Sequence, residues 1–152
     1  MECEPDFDPA PDCFRDLFSG QALNHLDEMV ISWRMGGHPI EWLESSAVFQ
    51  VHLMTGPAAL FRLHAPGNGI QARVEVDPSD AVANGIPGDL FVRLWEELAT
   101  IGSVVENYHA PLSVTLGRFS RGDRKVFLAY ALTIARTIAC PPEFEPESEG
   151  ID

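Results

Sequence analysis

Residues 47–77 read AVFQVHLMTGPAALFRLHAPGNGIQARVEVD, and along three segments of this stretch apolar and polar side chains alternate, the period of a strand with one face buried. Asn68-Gly69 suits the two-residue type I′ turn, in which both central residues need positive φ. With those two residues as the loop, Gly67 faces Ile70, and the apolar pairs Ala65/Ala72, Leu63/Val74 and Phe61/Val76 fall on one side. The polar pairs His64/Arg73 and Arg62/Glu75 then fall on the other, so the turn sorts the two faces. For the preceding hairpin, a three-residue loop Gly56-Pro57-Ala58 gives the apolar pairs Leu53/Phe61, Val51/Leu63 and Phe49/Ala65. The expectation is a three-stranded antiparallel meander over 47–77. Its polar face carries two cross-strand rows: His52, Arg62, Glu75 and Gln50, His64, Arg73.

Working outward, residues 14–28 place Phe14, Leu17, Phe18, Leu23 and Leu26 at intervals of a short helix broken by Gly20. Residues 29–35 (MVISWRM) alternate, with Ile31, Trp33 and Met35 against Ser32 and Arg34, which predicts a half-buried strand ended by Gly36-Gly37. His38-Pro39 then opens a segment read as a helical turn. Downstream, Asp77 to Gly88 reads as a turn-rich loop. Residues 89–108 align Phe91, Leu94, Trp95, Leu98, Ile101, Val105 and Tyr108 in one stripe, an amphipathic helix able to cover a sheet face. Residues 112–119 predict another strand, and Ser120 to Asp123 a turn. Residues 124–139 are apolar almost all round; the alanines favour a buried helix with Asp123 as N-cap, and a strand over 125–132 is the alternative. Together these elements predict an α+β fold, an antiparallel sheet of four or five strands with helices packed on its apolar face.

With 152 residues and 45% hydrophobic content, the chain suits one domain with its own core, expected over 13–140. The net charge of −13 is concentrated at the two ends. Of 23 acidic residues, five lie in residues 1–12 and five in 141–152, leaving thirteen against ten bases between. Those ends also hold six of the prolines, so flexible acidic tails are expected, and a rigid nucleic-acid mimic is disfavoured. Cys3, Cys13 and Cys140 form an odd set without CxxC spacing, read as reduced thiols. No stretch reaches the roughly 18 apolar residues of a membrane span, and no signal peptide is legible, so a cytoplasmic protein is expected.

The polar face of the meander is the main chemical candidate. Arg34, Gln50, His52, Arg62, His64 and Arg73 would place guanidinium forks and imidazoles together on an acidic protein, a surface able to grip a phosphate, a carboxylate or an acidic peptide. An ordinary solvated face, with Arg62 paired to Glu75, explains the same residues. His38 and Glu41 have a spacing that offers two metal ligands, but no second motif completes a site, so no cofactor is expected. His25, Asp27 and Glu28 read as the exposed end of a helix, and Arg121-Gly122-Asp123 as an ordinary turn. No GxSxG, P-loop or GxGxxG occurs. The leading expectation is therefore a small non-catalytic protein-interaction protein, of adaptor, inhibitor, immunity or chaperone type. It would bind another protein, with a homodimer as one form, and with Trp33, Trp42 and Trp95 as possible anchors. The alternatives are a binder of a small anionic ligand or nucleotide on the Arg/His face, and an enzyme using His52 or His64.

Overall fold

The computed structural model describes residues 11–103 and 111–139. The expected acidic tails fall outside the described residues except for Pro11 and Asp12, as does the predicted end of the 89–108 helix. Five strands, β1 (Ile40–Trp42), β2 (Ser46–Leu53), β3 (Gly56–His64), β4 (Arg73–Val76) and β5 (Leu112–Thr115), form one antiparallel sheet in chain order. Helices α1 (Asp12–Arg15), α2 (Gly20–Met35), α3 (Pro78–Ala83), α4 (Gly88–Gly102) and α5 (Arg121–Ile138) pack against it. The predicted α+β class and antiparallel sheet are what the structure shows.

The second hairpin follows the predicted register. Arg62 pairs with Glu75, Leu63 with Val74 and His64 with Arg73, and Gly67 bridges Ile70 across the turn. Asn68 and Gly69 both adopt positive φ, 53° and 78°, as the type I′ turn requires. The first hairpin does not follow its prediction. Its loop is Met54-Thr55, closed by Leu53 opposite Gly56, and Phe49 faces Phe61 rather than Ala65. A register shift at Phe49/Gln50 leaves Leu60 as an extra residue on β3, a bulge that turns the adjacent Leu60 and Phe61 both into the core, each 1% exposed. Phe61 then stacks on Phe49, ring centroids 4.5 Å apart and nearly parallel. Strict alternation cannot anticipate two consecutive inward side chains, and the shift moves Gln50 and His52 away from the rows predicted for them.

Residues 29–35 are not a strand. They complete α2, where Leu26, Met29, Val30 and Trp33 recur at three- and four-residue spacing and are all buried, whereas Ile31 and Met35 are 46% and 83% exposed. The helical stripe thus buries four large side chains, where a strand would have had to bury Ile31 and Met35 instead. Gly37, at φ +83°, ends α2 in a Schellman motif. The His38 N–H donates to the Trp33 carbonyl (3.3 Å) and the Gly37 N–H to that of Arg34 (2.9 Å). The His38 ring packs on the Trp33 indole at 5.0 Å. Trp33 Nε1 donates to the carbonyls of Pro39 and Gln50, both at 3.1 Å, which ties α2 to the sheet. The segment after His38 forms edge strand β1, not the predicted helical turn.

The predicted loop after Asp77 contains α3, with the Asp77 carboxylate accepting from the Asp80 N–H and Pro78 in the first turn. The ambiguous run resolves as α5, which starts at Arg121 because Ser120 and Asp123 form a reciprocal capping box, 3.0 Å each way. Ser120, not Asp123, is the N-cap. Predicted strand 112–119 stops at Thr115 and continues as a 3₁₀ turn, Leu116–Arg118. Trp33 and Trp95 are buried and Trp42 is half-buried against Phe14, so the tryptophans serve the core rather than an exposed anchor patch. Cys13 is disulfide-bonded, against the expectation of reduced thiols: a single bridge needs two cysteines brought close by the fold, and sequence spacing does not report that. Among the described residues no helix is long and apolar enough to cross a membrane.

Candidate functional site

The six residues predicted for the polar sheet face do not form one site. Arg34 lies near the end of α2 and lines a depression with Ile31, Met35, His38, Pro39 and His52. Gln50 lies near the β1 edge, its amide 3.4 Å from the Glu41 carboxylate. Arg62, His64 and Arg73 do share the outer face of β3 and β4, but carboxylates already engage two of them. His64 Nε2 is 2.6 Å from the Glu75 carboxylate, and Arg62 lies 3.9 Å from that of Asp80. His38 is buried against Trp33 while Glu41 is exposed. Among the described residues no group of three or more His, Cys, Asp and Glu side chains is placed to hold a metal ion.

A different set converges at the end of the sheet where β3 ends, β4 begins and β5 ends. There a cleft of about 500 Å³ is lined by Ser19, Gln21, Ala22 and His25 from the start of α2, and by Ser120, Arg121 and Arg124 from the start of α5. Pro66, Gln71, Ala72, Leu116, Gly117 and Phe119 complete its walls. Continued pairing past the strand ends, Leu116 N–H to the Ala72 carbonyl at 2.8 Å, sets the floor. Gly117 admits the Gln71 amide, whose oxygen would lie 2.9 Å from any Cβ at that position.

His25 is the central feature. Predicted to be exposed, it is 3% exposed, edge-on to the Phe119 ring at 5.3 Å, and its ring makes no hydrogen bond among the described residues. Burial, reinforced by the positive charge of Arg124, pushes its pKa down to about 4, so it is neutral at neutral pH, with one ring N–H to donate and one nitrogen to accept. The helix that carries it starts without a side-chain cap and without an acid in its first turn, leaving amides there free to serve a ligand. Across the cleft Arg121 and Arg124 form no ion pair with any described residue. This concentration of unspent donors and positive charge is suited to an anion. The sequence carried one usable signal for it, the Ser120-x-x-Asp123 pattern that starts α5 and so fixes Arg121 and Arg124 on its first turns. The burial of His25 had no local signal beyond its place beside Leu26 on the inward stripe of α2.

Comparison of the chain with protein-family models, with curated proteins and with solved structures finds no match in any of the three.

Proposed function

We propose that this protein is a non-catalytic binding protein whose cleft between the starts of α2 and α5 takes a small anionic ligand. The observation that carries this reading is a buried histidine that hydrogen-bonds no described residue, lining the same cleft as an uncapped helix start and two arginines that form no ion pair among the described residues. The cleft falls within the roughly 300–1,000 Å³ range of small-molecule sites. It offers donors and positive charge but no side chain paired as nucleophile and base, which favours binding over catalysis. The test is thermal unfolding at low ionic strength with phosphate, sulfate and aromatic anions, comparing wild type with Arg121→Glu/Arg124→Glu. Negative charge near a helix start is favourable, so the variant is expected to fold. A rise in Tm in the wild type that the variant loses supports the reading; no rise with any anion, or the same rise in both proteins, refutes it.

A second reading, interaction with another protein, is favoured by Ile31 and Met35, which are exposed on one side of α2 beside Arg34 and His52. Pull-down with Ile31→Glu/Met35→Glu against wild type tests it, and an unchanged set of captured proteins removes it. A cytoplasmic setting, expected from composition, is disfavoured by the disulfide at Cys13, because cytosolic glutathione keeps thiols reduced. Thiol titration of the freshly isolated protein with and without reductant decides between the two.

A further inference from the structure

We infer that the ligand of this cleft is an organic phosphate monoester, with the phosphate held at the starts of α2 and α5 and a small apolar or aromatic body lying against Phe119, Leu116 and Pro66. The inference rests on the anion-binding reading and goes beyond it in naming the ligand class.

Donors come from three directions: the first-turn amides of α2, the guanidinium groups of Arg121 and Arg124 on α5, and the ring of His25. A carboxylate is planar and presents two oxygens, whereas a tetrahedral phosphate presents three free ones in different directions. Helix starts and arginines are the recurrent partners of that group. Helix α2 is 16 residues long and starts uncapped, so it supplies a developed positive end, whereas the capped start of α5 contributes through Arg121 and Arg124. His25, 3% exposed and lining the cleft, points to a ligand independently of those helix ends, because its ring makes no hydrogen bond to any described residue and is left to a group bound in the cleft. Inorganic phosphate would fill only a small part of about 500 Å³. The remaining wall from the 3₁₀ turn and the β3–β4 connection is apolar at Leu116, Ala72, Pro66 and Phe119 and carries one amide, Gln71. That wall suits a compact apolar body with a polar edge.

The test is isothermal titration of the full chain with phenyl phosphate, inorganic phosphate and benzoate at pH 7.5, alongside Arg124→Gln and Phe119→Ala. Phenyl phosphate is expected to bind at least about tenfold more tightly than either of the others, the yield of burying one ring together with a phosphate. Arg124→Gln should weaken both phosphates, and Phe119→Ala should weaken phenyl phosphate alone. If Phe119→Ala fails to fold, the wild-type ligand series decides. Inorganic phosphate binding as tightly as phenyl phosphate overturns the organic body. Benzoate matching phenyl phosphate overturns the phosphate class while leaving an anion cleft in place. Silence from all three ligands overturns this inference and the anion-binding reading together.

Discussion

Replacing His25 with glutamine should remove a specific, calculable part of this protein's acid sensitivity. In the folded chain the imidazole is 3% exposed and its pKa is pushed down to about 4 by burial and by Arg124, while in the unfolded chain it returns to about 6.5. Between those values the unfolded state binds the extra proton, so stability rises with pH across the window and is fully present above 6.5. Lowering the pH from 7 to 5 should therefore cost about 2 kcal/mol through this one group, approaching about 3 kcal/mol at pH 4. The charged groups facing it are Arg124 and Arg121 from α5; Phe119 and Gln71 on the other walls carry no charge. Urea unfolding of wild type and His25→Gln at pH 7 and pH 5 measures the effect. Carboxylate titrations are common to both proteins and cancel in the difference of differences. The wild type should lose about 2 kcal/mol more than the variant, and an equal loss in both would refute the assignment of a buried, neutral, unpartnered imidazole.

Other consequences follow from the packing of the core and the surface. Phe61→Ala removes one ring of the Phe49/Phe61 stack and a side chain that is 1% exposed, and chemical denaturation should show a loss of about 3–5 kcal/mol. Gly37→Ala forces a Cβ onto a residue at φ +83°, in space that is otherwise open, so thermal unfolding should register strain alone, about 1–2 kcal/mol. Arg15 grips the Asp27 carboxylate with two hydrogen bonds, 3.0 and 2.8 Å; because both side chains are about a third exposed, a double-mutant cycle with Arg15→Ala and Asp27→Ala should give a coupling of no more than about 1 kcal/mol. The triple variant Arg34→Glu/Arg62→Glu/Arg73→Glu should leave phenyl phosphate affinity within about twofold of wild type, since none of the three lines the cleft; a tenfold loss would return the site to the sheet face.

The sequence was most legible where a turn fixes the geometry on its own. Asn68-Gly69 dictates its turn through backbone sterics, so the pairs Gly67/Ile70, His64/Arg73, Leu63/Val74 and Arg62/Glu75 could be counted outward from it. The Met54-Thr55 turn has no such signature, and the bulge at Leu60 breaks the strict alternation that was the only other guide. In α2 the alternating reading of Ile31, Trp33 and Met35 competed with a helical stripe through Leu26, Met29, Val30 and Trp33, and short windows do not separate the two periods. What decides is which large side chains have partners, and those come from β2, β3 and α5, distant in sequence. The cleft was illegible for the same reason: its walls come from three stretches far apart in sequence, 19–25, 66–72 and 116–124, and the burial of His25 depends on Phe119 lying across it.

Why binding should be sought at the helix starts rather than on the sheet face is a matter of local charge, and the overall charge of −13 does not decide it. A cation already engaged by a carboxylate must give up that contact before it can serve a ligand, so its net contribution to affinity is small. On the outer sheet face Arg62 lies beside Asp80 and Glu75, and His64 is bound to Glu75. At the cleft the one nearby acid on α5, Asp123, is committed to capping its own helix, which leaves Arg121, Arg124 and the start of α2 facing a space with no internal counter-charge among the described residues. That imbalance, set beside a histidine kept neutral by burial and, secondarily, by Arg124, is relieved by a bound anion. Binding should then draw a proton toward His25, because a negative charge nearby favours the charged imidazole. Titrations of phenyl phosphate at pH 6 in two buffers of different ionisation enthalpy should report net proton uptake in the wild type and less in His25→Gln; equal uptake in both proteins would mean that the anion does not sit against this ring.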